Sequence, residues 1–135
     1  AIANMPRLLA SFDDAIKNKK THPLELSAIF HKMFIYSHPF PDGNGRLGRL
    51  LSNFILEKFK HPHIIILKED RQEYIDALKA SEKHNNMLAI VNFFYDTSIK
   101  RMQNEIGQKK NLSKNFNLGF EDGNKRKKGF TGPKR

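Results

Sequence analysis

A run of twelve residues near the middle of the chain combines side chains that suit phosphate chemistry. The segment His38–Arg49 reads HPFPDGNGRLGR. His38 carries an imidazole, a side chain that can take a proton from an incoming hydroxyl. Asp42 offers hard carboxylate oxygens, the ligands that hold Mg²⁺ together with substrate phosphates. A base and a metal ligand four residues apart indicate an enzyme site.

The second half of this segment is suited to binding an anion. Gly43 and Gly45 flank Asn44 and allow the backbone to approach a ligand closely. Successive N–H groups at the start of a helix form a nest for an anion, reinforced by the helix dipole. Arg46 and Arg49 lie three residues apart, and guanidinium groups grip phosphate oxygens in pairs. A solvated helix-capping turn is the alternative for a bare Gly-Asn-Gly, but the full spacing favours phosphate transfer.

Helices are expected on both sides of this loop. Apolar residues recur at helical spacing through most of the chain, and His38-Pro39 ends the helix before the loop. Asp70 and Glu73 have the spacing of a capping box. The run from Ile64 to Leu67 is either a strand or a buried extended connection. The predicted helices run from Pro6 to about Lys17, from Pro23 to His38, from about Arg46 to Lys58, from Asp70 onward, and from about Met87 to Glu105. The sequence therefore predicts a compact all-α bundle with a central active-site loop between two helices.

Composition limits the kind of protein further. The 135 residues are 39% hydrophobic, and no apolar run approaches the ~20 residues of a membrane-spanning helix. Cysteine is absent, which excludes disulfides and a thiolate zinc site and agrees with a cytoplasmic location. Residues 108–135 hold nine basic and two acidic side chains, so they carry +7 of the net charge of +10. We predict a catalytic core at 1–107 and a disordered tail at 108–135, in which only nonspecific nucleic-acid contact is expected.

The loop resembles the active-site motif of the Fic (filamentation induced by cAMP) family. The family pattern His-x-Phe-x-Asp/Glu-Gly-Asn-Gly-Arg-x-x-Arg is matched at every defined position of His38–Arg49. His31 and Phe34 resemble the helix that precedes the motif, and Arg71 and Tyr74 resemble the family's segment after the motif. In all, the resemblance covers roughly residues 6–102 and implies the Fic-type helical fold.

The resemblance implies a protein adenylyltransferase, which transfers AMP from ATP to a Ser, Thr or Tyr hydroxyl of a target protein and releases pyrophosphate. It implies that His38 is the catalytic base, that Phe40 packs inward to anchor the loop, and that Asp42 holds Mg²⁺. Gly43 to Gly45 then form the anion hole, Arg46 grips the nucleotide phosphates and Arg49 pairs with the γ-phosphate. The implied nucleotide- and phosphate-binding residues are Asp42, Gly43, Asn44, Gly45, Arg46, Leu47, Gly48 and Arg49.

The chain departs from the family pattern on the side expected for adenine. Tyr74 and Ile75 are the possible adenine-side residues, but many adenylylating relatives carry a second aromatic at the position of Ile75 and an Asn at the position of Glu82. The alternative is therefore transfer of UMP, phosphocholine or phosphate. Gly45 argues against phosphate transfer, because the phosphate-transferring Doc variant has Lys there.

The same resemblance implies a mode of regulation and a set of partners. Regulated relatives carry an inhibitory helix with the pattern Ser/Thr-x-x-x-Glu-Gly/Asn, which this sequence does not contain. Inhibition is therefore expected from a segment outside the chain, from a partner such as an antitoxin, or not at all. A further alternative function is a toxin-type module neutralised by an antitoxin, in which the loop only binds an anion. The family's β-hairpin flap, which holds the target, is expected upstream of Ala1. No membrane partner is expected.

Overall fold

The computed structural model describes residues 5–128, and the surroundings of side chains for residues 5–117. Within this range it contains five α-helices, one 3₁₀ turn and no β-strand, which confirms the predicted all-α bundle. None of the described helices is both long and apolar enough to cross a membrane. The helices are α1 (Met5–Asn18), α2 (Pro23–Ser37), α3 (Asn44–Lys58), α4 (Arg71–Lys83) and α5 (Leu88–Lys128), with the 3₁₀ turn at Lys68–Asp70.

Helices α2 and α3 form the centre of the fold and lie on either side of the loop. One face of α2 contributes Leu24 and Ala28 to a first apolar cluster, which also contains Phe94. Another face contributes Phe30 to a second cluster, where its ring meets Phe12 edge-on at a centroid distance of 4.8 Å. Because α2 is packed on two sides, the C-terminal end of α2, where the loop begins, is held in place.

The connection between α3 and α4 is extended, and an asparagine fastens it to α3. The backbone N–H of Ile64 donates to Asn53 Oδ1 at 2.8 Å, and Asn53 Nδ2 donates to the Ile64 carbonyl at 3.0 Å. The predicted capping box at Asp70 is wrong, because Asp70 makes no side-chain cap bond to α4. Its Oδ2 instead accepts from the Leu67 N–H at 3.1 Å and so closes the 3₁₀ turn.

The C-terminal region differs from the prediction. The sequence predicts disorder from residue 108, but α5 remains helical to Lys128. Every described side chain from residue 108 to 117 is exposed. The low apolar content of this segment suggested disorder, but an α-helix can form there without burying much surface. The chain divides into two compact units, one of residues 1–99 and one of residues 100–135. The domain limits at 107 and 108 stay a prediction, and residues 129–135 lie outside the described part.

Candidate active site

The loop begins with a left-handed residue at the end of α2. His38 has φ +42° and ψ 58°, and its N–H donates to the Ile35 carbonyl at 3.2 Å. This conformation ends the helix and turns the chain toward α3. Gly43 has φ +79° at the N-cap of α3, where a side chain would be strained. The two left-handed positions thus fix where the loop starts and where α3 begins, two residues earlier than predicted.

Asn44 holds the loop together from the inside. Its side chain is buried, with Oδ1 accepting from the Phe40 N–H at 3.1 Å and Nδ2 donating to the Phe40 carbonyl at 2.7 Å. The expectation that the Phe40 ring packs inward is wrong, because Phe40 is 48% exposed. The anchor is the backbone of Phe40 clamped by the Asn44 amide, and the phenyl ring is not needed for it.

The same amide also contacts the candidate base. Asn44 Nδ2 lies 3.2 Å from His38 Nδ1. The two bonds to Phe40 fix which end of the amide carries hydrogens, so Nδ2 donates and His38 Nδ1 accepts. Neutral His38 then carries its hydrogen on Nε2. Proton uptake by His38 therefore requires this contact to open or the ring hydrogen to move to Nδ1.

Both arginines of the motif lie over the glycines. An Arg46 amino nitrogen is 3.8 Å from the position that a Cβ on Gly43 would take, and an Arg49 amino nitrogen is 3.5 Å from the corresponding position on Gly45. No side chain caps the N-terminus of α3. Backbone donors and two guanidinium groups therefore surround one small region, an arrangement that favours a phosphate.

Two positions within the predicted phosphate site face the core instead. The Leu47 side chain packs against the second apolar cluster, and its N–H is used in the bond to the Gly43 carbonyl at 3.0 Å. Gly48 is buried, and a Cβ there would come within 3.3 Å of the His31 ring. Leu47 therefore contributes its side chain to packing and Gly48 leaves room for His31, and their contact with phosphate stays a prediction.

Arg49 also lines a cavity of about 430 Å³ between α3 and α4. Lys68 and Arg71 line it too, so its described lining contains three cationic side chains and no carboxylate. The sequence analysis named Arg71 only as part of the family resemblance and did not name Lys68, which lies in the 3₁₀ turn before α4. The described lining is Arg49, Ile66, Leu67, Lys68, Arg71, Tyr74 and Ile75.

The two adenine-side departures line different cavities. Ile75 belongs to the cavity of Arg49, whereas Glu82 lines a separate space of about 290 Å³ with Lys32 and Tyr36. A larger space of about 490 Å³ between α1 and α2, near Leu8, has no motif residue among its described lining. The cavity lined by Arg49, Lys68 and Arg71, here called the cationic cavity, is therefore the one that shares a residue with the loop motif.

A buried hydrogen-bond network joins α2, α3 and α4. His31 is fully buried; its Nε2 lies 2.7 Å from the Tyr74 hydroxyl and its Nδ1 lies 3.2 Å from Ser52 Oγ. Burial lowers the pKa of His31 to about 4. A backbone hydrogen bond at Gly48 raises the pKa and offsets part of this effect. His31 is therefore neutral near pH 7, and it is a hydrogen-bonded support within the core.

The buried state of His31 predicts a pH dependence of stability. Its pKa is 6.5 when unperturbed and about 4 in the folded protein, so the unfolded chain binds the extra proton between these values. Stability should fall as pH falls from 6.5 to about 4, by on the order of 3 kcal/mol from this residue. Urea unfolding across this pH range measures it. His31→Gln should flatten the dependence, whereas His84→Gln, at an exposed histidine, should not; equal slopes in all three proteins would contradict the assignment.

The residues present fit a magnesium ion held mainly by a substrate. Asp42 is exposed beside the nest, and its Oδ1 accepts from the Gly43 N–H at 2.7 Å. Among the described residues, no group of three or more His, Cys, Asp or Glu side chains is placed to hold a metal. One carboxylate with phosphate and water oxygens is a common Mg²⁺ environment, because this ion keeps several of its waters.

Comparison with known proteins agrees with this geometry. A family model described as the Fic/DOC family matches residues 1–56. The chain is 34% identical over 93 residues to the "Protein adenylyltransferase Fic" of Nematostella vectensis, covering 67% of this chain and 22% of that protein. It is 39% identical over 80 residues to a "Probable protein adenylyltransferase" of Aquifex aeolicus, covering 58% and 24%.

Solved structures give the same result. Fic-1 from C. elegans is similar with a TM-score of 0.70 and 30% identity, covering 78% of this chain and 33% of that chain. A Fic domain containing signaling protein from Bacteroides thetaiotaomicron is similar with a TM-score of 0.64 and 30% identity, covering 74% and 45%. The fold is thus that of a Fic-type helical domain. The chain belongs to the Fic/DOC family, and it spans about a fifth of the length of these two curated relatives.

Proposed function

We propose that this chain is the catalytic part of a protein adenylyltransferase, which moves AMP from ATP to a Ser, Thr or Tyr hydroxyl of a target protein. The observation that carries the proposal is the loop geometry, in which two arginines lie over the glycines of the nest and His38 stands at its edge. The names of its relatives support the adenylyl group as the one transferred.

The proposed reaction forms one bond and breaks another at the α-phosphorus. The target hydroxyl oxygen attacks this phosphorus, the bond to the oxygen that bridges the α- and β-phosphates breaks, and pyrophosphate leaves. His38 accepts the hydroxyl proton once its Nδ1 contact with Asn44 has opened or its ring hydrogen has moved. The nest and Arg46 hold the phosphate oxygens, and Arg49 binds the end of the triphosphate. Catalysis is then mainly positioning and charge neutralisation.

Asp42 is the residue that would hold Mg²⁺ in this site. The ion supplies neutralisation of phosphate charge when bound. Asp42 is suited to this role because its carboxylate is exposed and already turned toward the nest by the bond from the Gly43 N–H. We place the enzyme in the cytoplasm, with a hydroxyl-bearing target protein and an inhibitory segment or antitoxin as partners.

A second candidate function is transfer of a different phosphate-containing group from its donor, such as UMP. The observation that favours it is that Ile75 and Glu82, the two departures from the family pattern on the side expected for adenine, line different cavities. The nest and the arginines act on phosphate and are indifferent to the base.

Labelled nucleotides test the group and the base together. We expect the chain, with Mg²⁺, to transfer label to protein from ATP labelled on the α-phosphate and not from ATP labelled on the γ-phosphate. UTP, CTP and GTP labelled on the α-phosphate serve as matched controls, and self-modification and added lysate proteins are both followed on gels. Label from γ-labelled ATP would identify phosphate transfer instead, and label from UTP alone would identify uridylyl transfer.

A further inference from the structure

The cationic cavity holds positive charge that no protein group in its described lining neutralises. Arg49 belongs to the loop motif, whereas Lys68 lies in the 3₁₀ turn and Arg71 is the first residue of α4. Among the described residues, neither Lys68 nor Arg71 forms an ion pair. Like charges that line one space repel each other, so the cavity is suited to a ligand that carries several negative charges.

Three acidic residues lie close by in the sequence, and none of them belongs to the described lining of the cavity. Asp70 is buried, and its Oδ2 accepts from the Leu67 N–H at 3.1 Å. Glu69 and Glu73 are exposed to solvent. The positive charge of the cavity is therefore left for an anion to neutralise.

Backbone bonds fix the segment that carries Lys68 and Arg71. The Arg71 N–H donates to the Lys68 carbonyl, and the Asp70 N–H donates to the Leu67 carbonyl at 3.1 Å. Upstream, the Asn53 side chain fastens the connection to α3 through two hydrogen bonds. Because both cations stand on an ordered backbone, binding an anion there requires only their side chains to become ordered.

Arg49 connects the cationic cavity with the nest. One of its amino nitrogens lies 3.5 Å from the position that a Cβ on Gly45 would take, and the same side chain lines the cavity. A single phosphate at the nest would leave Lys68 and Arg71 without an anionic partner. A chain of phosphates that begins at the nest and continues past Arg49 enters the cavity, whose volume of about 430 Å³ suits a small-molecule site.

We propose that Lys68 and Arg71 bind the terminal phosphates of the donor, so that the site selects a nucleoside triphosphate over donors with fewer phosphates. The proposal rests on the proposed function because it concerns the same donor, and it adds two binding residues outside the loop motif. Both side chains act on phosphate oxygens and not on the base. The selection therefore concerns the length of the phosphate chain and leaves the identity of the base open.

Nucleotide binding to the whole chain tests the proposal. In a His38→Ala background that slows turnover, the double variant Lys68→Gln/Arg71→Gln should bind Mg²⁺–ATP about tenfold more weakly by calorimetry, the effect of two lost charge pairs open to solvent. AMP has no terminal phosphates, so its affinity should not change. Inorganic tripolyphosphate should compete with ATP in the parent protein and compete less well in the double variant.

Lys79 and Lys83 provide a matched control on the same helix. Both are exposed and lie outside the described lining, and Lys79→Gln/Lys83→Gln removes the same net charge as the test variant. This control should leave all affinities unchanged, which separates contact inside the cavity from the general positive field of the protein. All four substituted side chains are exposed, so both variants should melt at the temperature of the parent protein.

Each outcome decides the inference. Unchanged ATP affinity in Lys68→Gln/Arg71→Gln, equal losses for ATP and AMP, or an equal loss in the control would overturn it and leave the proposed function standing. A selective loss for ATP and tripolyphosphate, with label transferred only from UTP, would support the inference and overturn AMP transfer. Failure of the unaltered chain to bind any nucleoside triphosphate would overturn both.

Discussion

Replacing His38 with alanine is expected to slow transfer to a target hydroxyl by about 10²–10⁴-fold, the range typical of a lost general base. The side chain lies at the edge of the nest, exposed, where an incoming hydroxyl can reach it. The phosphates are held by other groups, so the affinity for the nucleotide should change little. Initial rates of label transfer at saturating ATP, together with calorimetric binding of ATP, measure the two effects separately.

The control for this prediction is another exposed histidine outside the loop. His63 lies in the connection between α3 and α4 and is 48% exposed at its side chain. His63→Ala removes the same group from the surface, and transfer should remain at the level of the unaltered chain. A His38→Ala protein that transfers label within a few-fold of the unaltered chain would show that the proton leaves by another route.

The sequence predicted the parts of the site that lie within one short segment. Its glycine, arginine and histidine positions follow from what a phosphate site needs at the mouth of a helix, and the structure has the loop where the motif places it. The inward Phe40 was wrong because an aromatic residue in a loop signals burial only on average. Here the Asn44 amide supplies the anchor, and its two backbone bonds span four residues that no periodicity links.

Long-range partners could not be predicted in the same way. His31 and Tyr74 are 43 residues apart, and only the packing of α4 against α2 brings the two side chains to 2.7 Å. For residues 108–128 the wrong prediction concerned local helix formation and not a long-range contact. The composition of this segment was judged by how little it can bury, but a helix needs only local backbone bonds. The described side chains of residues 108–117 are exposed, and the backbone is helical to Lys128 where disorder was predicted.

The second large effect is expected from Asn44, a residue that the family resemblance places in the anion hole. Both ends of its amide are occupied inside the loop, by the backbone of Phe40 and by His38 Nδ1. Asn44→Ala removes all three bonds, so the loop loses its shape and His38 its orientation. Turnover should fall about 10²-fold, because small displacements of reacting groups have effects of this size. Steady-state rates at saturating ATP measure it.

Asn53 provides a matched control for Asn44. It clamps the backbone N–H and carbonyl of Ile64 in the same two-way manner, but outside the loop. Both alanine variants should lose about 1–3 kcal/mol of stability, since each leaves backbone groups unpaired. Only Asn44→Ala should lose turnover when rates are corrected for the folded fraction. The double variant with His38→Ala should be little slower than His38→Ala alone, because Asn44 acts largely by placing His38; additive losses would mean that Asn44 contributes to catalysis by itself.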